Sequence, residues 1–487
     1  MSKRLILILA LAFVVGLTCA AYAEVQNVKV SGDLNITGIS RGSLTLRDNV
    51  TPVSAADFGE NISSILSQVR VRIDADLTDN VSTTVRLLNE RVWGEESTND
   101  TDIDLDLAYA TLKEFLYSPL TLTVGRQLLR YGNGLVIGDP DTNAICAEHN
   151  TSATDAARDR ILPKSLDDLS ARKAFDAIKA TLNYDPLVVD IVYSKIDENG
   201  VNIADDVDLY GANASYAVNK DLNTELYIFQ RTRKATQAAA GGASTALGDR
   251  ERLRVVGTRA TYTGIKDLSL GLEGAYQFGD HLVETTLYPD EAADTDIHRK
   301  VKAFAIQAEA NYALPMAKKY SPVVGASYTY LSGDKFKSTS DNYKGWDPMF
   351  EDQNAGTLFN KIFALTNMQI INLNVSAKPI EDVKLALNYY YLRVNQPYAN
   401  MWGGAVQTVN LSGISGDPTY RMRAGKSLGS EIDLGLTYDY TEDVQFGLNA
   451  GAFIPGSAFD KKGRAENNIS GNGKTATQVI GSMKVTF

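Results

Sequence analysis

Cysteine is almost missing from this chain, with two in 487 residues. Cys19 falls in an N-terminal leader, so a mature chain would keep only Cys146, which excludes an internal disulfide framework. Histidine is as scarce: His149, His281 and His298 all fall in expected outer loops, and none follows a serine or aspartate motif. That leaves no visible nucleophile and base pair, and the sequence reads as a non-enzyme. After residue 17 no apolar run approaches the roughly 20 residues of a membrane-spanning helix, which excludes a helical membrane protein. Excess basic charge is lacking too. The formal net charge of −11 argues against nucleic acid as a partner.

The leader is readable in itself. Lys3 and Arg4 precede an apolar run over residues 5–17, and Ala21-Tyr22-Ala23 supplies a small-x-small cleavage pattern. Residues 1–23 are therefore expected to be a cleaved signal peptide, and 24–487 the exported domain. A lipidated Cys19 is the alternative, but Gly16-Leu17-Thr18 fits poorly before it.

What the chain does have is tyrosine (24), glycine (38) and a hydrophobic period of two. Between Gln68 and Leu77, Val69, Val71, Ile73, Ala75 and Leu77 share one face, while Gln68, Arg70, Arg72, Asp74 and Asp76 share the other. About 18 such segments are long enough to cross a bilayer when tilted. They run over 27–40, 64–77, 81–93, 103–115, 119–128, 173–184, 187–197, 205–218, 221–233, 251–263, 267–279, 300–313, 321–333, 366–378, 382–394, 428–440, 443–455 and 475–487. Short connections such as Asp185-Pro186 and Asn219-Lys220 alternate with long polar ones at 41–63, 129–172, 234–250, 280–299, 334–365, 395–427 and 456–474. This asymmetry predicts an all-β, antiparallel transmembrane barrel in a Gram-negative outer membrane, with short periplasmic turns and nine long extracellular loops. Loop 129–172 is too long for a free excursion and is expected to fold into the lumen.

Aromatic residues fall where membrane interfaces should lie: Tyr276, Phe278, Tyr389 and Tyr391 near outer strand ends, and Tyr312, Tyr438 and Tyr440 near inner ones. These surfaces would meet outer-membrane lipids and lipopolysaccharide. Phe487 ends an alternating strand, a signal of the kind that barrel-assembly machinery reads.

The polar faces supply the candidate pore lining. Arg70, Arg72 and Arg86 sit at mid-depth, and Arg231, Arg233, Arg252 and Arg254 cluster beside one outer loop. They either attract anions or pair with luminal carboxylates and stiffen the wall. Glu273, Glu309, Glu431 and Asp433 lie on polar faces as well, so the lumen carries both signs. Asp102, Asp104 and Asp106 would line the wet lumen or, less simply, bind Ca²⁺. Arg126 shares the parity of Leu120, Leu122 and Val124. It reaches the lumen only if Gly125 carries a bulge, and otherwise snorkels to the headgroups. Cys146 and His149 are a lone C-x-x-H pair, poor evidence for metal, and no cofactor is implied.

Four segments resemble the alginate-export family of outer-membrane channels. They are Val124-Gly125-Arg126-Gln127 with Tyr131-Gly132-Asn133-Gly134; the strand from Gly271-Leu272-Glu273 to Gln277-Phe278-Gly279; Leu331-Ser332-Gly333-Asp334 with Trp346-Asp347-Pro348-Met349-Phe350; and Gly429-Ser430-Glu431-Ile432-Asp433 with Phe453-Ile454-Pro455-Gly456. They occur in the family's order. The resemblance implies a porin-like barrel passing hydrophilic or anionic solutes, or exporting an acidic polysaccharide such as alginate, and it places Arg126 in the lumen. A membrane-embedded hydrolase using paired carboxylates, or a structural or adhesive barrel with no open pore, are the rival classes.

Overall fold

The computed structural model describes residues 27–44, 46, 61–94, 103–140, 166–198, 206–238, 244–282, 298–334, 342–353, 355–396, 425–459 and 473–487. The expected leader, Asp102, Cys146 and His149 lie outside them.

Period-two segments pair with their neighbours in sequence. The strands are β1 (Asn27–Gly42), β2 (Asn61–Thr78), β3 (Val81–Val92), β4 (Asp104–Leu112), β5 (Leu120–Leu128), β6 (Ala174–Asn183), β7 (Leu187–Asp197), β8 (Val207–Asn219), β9 (Leu222–Ala238) and β10 (Ser244–Ile265). Then follow β11 (Leu268–Leu282), β12 (His298–Ala313), β13 (Val323–Leu331), β14 (Asn342–Tyr343), β15 (Met368–Ile380), β16 (Val383–Val394), β17 (Ser427–Asp439), β18 (Val444–Pro455) and β19 (Ala476–Thr486). β14 is a two-residue bridge beside β12. The other eighteen form a closed antiparallel barrel, every expected segment among them. Two corrections concern the outer rim. Most of the expected loop 234–250 is strand, because β9 and β10 stay paired beyond Lys234 and Arg250. His281 and His298 likewise belong to the ends of β11 and β12 rather than to a loop.

Closure is made at the β1–β19 seam, where lipid would offer no partner to a bare edge. Gly32 N–H donates to the Phe487 carbonyl at 2.7 Å, and Phe487 N–H returns a bond to Gly32 at 3.0 Å. A Cβ at Gly32 would stand 2.6 Å from the Phe487 ring and 2.6 Å from the Arg70 carbonyl, so only glycine lets that ring lie across the seam. Gly32→Val should cut the heat-modifiable, folded fraction on cold SDS gels about as strongly as deleting Phe487. Wild-type folded levels in both variants would remove the seam from the assembly pathway.

The wall is apolar outside. Ile73, Ile191, Leu226, Leu272, Leu373 and Leu434 are exposed on the outer surface, as lipid contact requires. Inside, loop segments with an apolar core of their own enter the upper lumen. Tyr131, Leu135, Ile137, Trp346, Met349, Phe350 and Phe359 pack against Phe229, Val255 and Phe453 of the wall.

Candidate functional site

Two inward-folded loop segments make one body. Gly138 N–H donates to Phe350 O at 2.7 Å, Phe350 N–H to Val136 O at 3.0 Å, and Asp352 N–H to Gly134 O at 2.8 Å. Residues 130–139 and 346–352 are thus stitched by backbone, with Arg130 and Lys173 paired to Asp352. Glu351 is half-buried among them. Desolvation, with Asp352 and Asp139 adding repulsion, pushes its carboxyl up to about 8.

Wall side chains hold this plug. Glu431 accepts N–H bonds from Thr357 (2.6 Å), Leu358 (3.0 Å) and Phe359 (2.7 Å), and Asp433 accepts one from the Thr357 hydroxyl at 2.7 Å. Arg231 donates to Asp347 and Glu251, all three being buried, and Arg233 reaches the same Glu251. Glu273 accepts from Asn133 N–H at 2.7 Å and the Tyr227 hydroxyl at 2.8 Å. Gly132 takes a positive φ beside it, and a Cβ there would come within 2.4 Å of the Glu273 carboxylate. A third segment, residues 168–172, is held by β1, β3 and β4. Arg41 binds Asp168, Glu90 accepts from Ser170 and Ala171, and Arg172 pairs with Asp104.

Below the plug the lumen is polar, and its two walls differ. On β2–β3, Arg72 and Arg86 are register partners. Arg70 binds Asp33 at 2.9 Å, Arg72 binds Asp74 at 2.8 Å, and Arg86 pairs with Asp106. On β9–β12, Arg259 alone faces Glu225 (3.9 Å), Glu273 (3.8 Å) and Glu309 (3.5 Å). β2 and β11 stand half a circumference apart in the closed strand order. Arg72 and Arg259 precede the inner ends of their strands, Thr78 and Ile265, by the same number of residues. The acid-rich cluster and the arginine row therefore oppose each other at similar height. Both remain wet: Arg72 and Asp74 keep 38% and 33% of their side-chain surface, and Glu309 keeps 34%.

Of the residues singled out from sequence, Arg70, Arg72, Arg86, Arg231, Arg233, Glu273, Glu309, Glu431 and Asp433 face inward. Three arginines do not. Arg126 pairs in unbroken register with Ala108 and Asp176, so Gly125 does not flip the strand, and the side chain faces outward 4.0 Å from Asp176. Arg252 and Arg254 also point outward, because Leu253 and Val255 turn in to meet the apolar plug. Of the two roles open to Arg70, Arg72 and Arg86, pairing with luminal carboxylates is the one their side chains adopt. Asp104 and Asp106 serve arginines, and no group among the described residues could hold a metal ion. Glu225, Arg259, Asp33 and Asp347 were missed. Arg259 and Glu225 were legible, since each occupies the polar parity of a strand already identified; Asp347 belongs to a loop, where parity says nothing.

The geometry has counterparts. The alginate export family matches residues 44–472. Among solved structures, OccK3 (OpdO) of Pseudomonas aeruginosa is 12% identical, with 96% of this chain and 97% of that one covered and a TM-score of 0.52. The outer membrane protein opdK of the same organism is 10% identical over 95% and 99%, with a TM-score of 0.51. Its OccK2 (OpdF), in complex with glucuronate, is 11% identical over 95% and 98%, with a TM-score of 0.50. These likenesses establish the fold, an outer-membrane porin barrel. A search of curated proteins finds no match. The family match spans nearly all of the barrel, from the first outer loop to the last, and on that ground the chain belongs to the alginate export family.

Proposed function

We propose that this outer-membrane channel passes hydrophilic solutes bearing a carboxylate, uronates and short acidic glycans among them, through a constriction between the inward-folded loops and the wall. One observation carries the reading: Arg70, Arg72 and Arg86 face the acid-rich Glu225–Arg259–Glu273–Glu309 cluster across the lumen at similar height. A wall of paired arginines and aspartates opposite one with surplus carboxylates creates a transverse field between low-dielectric walls. A solute with a carboxylate at one end and hydroxyls at the other can align in it, its anion toward the arginines. A simple ion gains less, because it has no second end to place.

The family and the glucuronate complex of OccK2 support an acidic sugar as the solute class. The reading includes no catalytic step. It is tested by reversal potentials of the purified protein in planar bilayers, with chloride, glucuronate and short uronate oligomers compared in turn. Glucuronate should permeate more readily, relative to chloride, than its size and mobility alone allow. A tight seal without conductance steps, or permeability that falls simply with size, would overturn the proposal.

A further inference from the structure

The outward face of β9–β12 carries three successive cross-strand rows whose chemistry changes with height. Ile228, Val256, Tyr276 and Phe304 are register partners, all exposed and apolar. Two residues further out the row reads Gln230, Arg254, Phe278 and Lys302, and beyond it Thr232, Arg252, Asp280 and Lys300. Arg250 follows, also exposed. Outward residues of β11 are apolar, or glycine, over residues 268–278, which matches the roughly 9–11 residues a tilted strand needs to cross hydrocarbon. The cations therefore begin where the acyl region ends, at the headgroup level of the outer leaflet.

Among the described residues, five cations stand there with one carboxylate. Lys300 is paired to Asp280, and Arg254 donates to Gln230 at 2.8 Å. Among the described residues, Arg250, Arg252 and Lys302 have no ion-pair partner. Two cations near other outer strand ends are matched: Arg126 lies beside Asp176, and Lys195 beside Asp208 and Glu198. Rows two residues apart are separated by about 6.6 Å along a strand, and alternate strands by about 9.6 Å. Several guanidinium and ammonium groups can thus reach the phosphates of one bulky headgroup, the arginines as two-pronged donors.

We infer that this face is a binding site for a phosphorylated glycolipid of the outer leaflet, with Arg252, Arg254 and Lys302 gripping its phosphates while Tyr276, Phe278 and Phe304 pack on its acyl chains. The site is on the outer surface and does not depend on which solute the lumen carries.

The test uses the full barrel in nanodiscs of phosphatidylcholine doped with bis-phosphorylated lipid A or its dephosphorylated form. Retained glycolipid is counted by native mass spectrometry after detergent transfer. The wild type should retain the phosphorylated form at least about tenfold more than the dephosphorylated one, a difference of about 1.4 kcal/mol. Arg250→Gln, Arg252→Gln, Arg254→Gln and Lys302→Gln together should abolish that preference, and Arg252→Lys with Arg254→Lys should keep most of it. If the quadruple variant does not fold, Lys302→Gln alone should lower retention severalfold. Millimolar inorganic phosphate should not displace the lipid; displacement would mean that a free anion is the ligand and would overturn the inference. So would equal retention of the two lipids, or no loss in a folded neutralised variant.

Discussion

Replacing Glu431 by alanine should raise single-channel conductance several-fold while leaving the barrel folded. Glu431 is fully buried, and its carboxylate is the acceptor for three successive backbone N–H groups, those of Thr357, Leu358 and Phe359. Removing it leaves three donors with no partner in a dry site, at about 1–3 kcal/mol each. Beyond these bonds the segment is held by ring contacts of Phe359 with Tyr390 and of Phe363 with Phe453, at 5.3 and 5.4 Å. Releasing the segment is therefore easier than burying it unsatisfied. The wall itself loses little, because β17 keeps its ladders with β16 and β18. Asp347→Ala should do the same from the other end of the plug, where Arg231 would be left buried with Glu251 as its remaining carboxylate. The measurement is conductance in planar bilayers, with heat-modifiable mobility as the folding control. Unchanged conductance in both folded variants would mean that the plug does not narrow the conducting path.

The same plug explains which parts of this protein could be read from its sequence. Strand number and the outer aromatic residues follow from local rules, because lipid on one side and water on the other enforce alternation residue by residue. That rule holds where both solvents are present. At the upper end of β10 it inverts: Leu253 and Val255 look like a lipid face but cover the plug's apolar core, and Arg252 and Arg254 look luminal but stand at the headgroups. Parity cannot report this, since the partner of Val255 is a loop distant in sequence. The charged lining shows the other limit. Sequence placed Arg72 and Asp74 on one face, yet their direct ion pair at 2.8 Å depends on side-chain reach along one strand. The opposition of β2–β3 to β9–β12 is different in kind. It follows once the strands are counted and the ring is closed, so it was within reach of the sequence.

Changing Arg70, Arg72 and Arg86 together to glutamine should lower the anion-to-cation permeability ratio, and changing Glu225 and Glu309 to glutamine should raise it. In the first variant Asp33, Asp74 and Asp106 lose their counter-ions, so a wall that is balanced becomes acidic on the side where it faced the Glu225–Glu309 cluster. The transverse field then collapses into a uniformly negative lumen. In the second, Arg259 keeps only Glu273, whose carboxylate is committed to Asn133 and Tyr227, and the acid-rich wall approaches neutrality. A unit charge about 8 Å from a permeating ion contributes roughly 2 kcal/mol at an effective dielectric constant of about 20. Screening reduces this in a wet lumen, so a shift of several-fold in the ratio is expected near 0.01–0.1 M salt. At about 1 M the Debye length falls to roughly 3 Å and the effect should nearly vanish. Glucuronate should suffer more than chloride in both variants, because each removes one of the two walls that align it. That shared loss separates a transverse field from a simple anion filter, under which the glutamate variant would gain glucuronate and chloride conductance alike. Opposite shifts for chloride with a common fall for glucuronate would place the selectivity between the two walls. Parallel gains for both anions would leave the arginines acting alone.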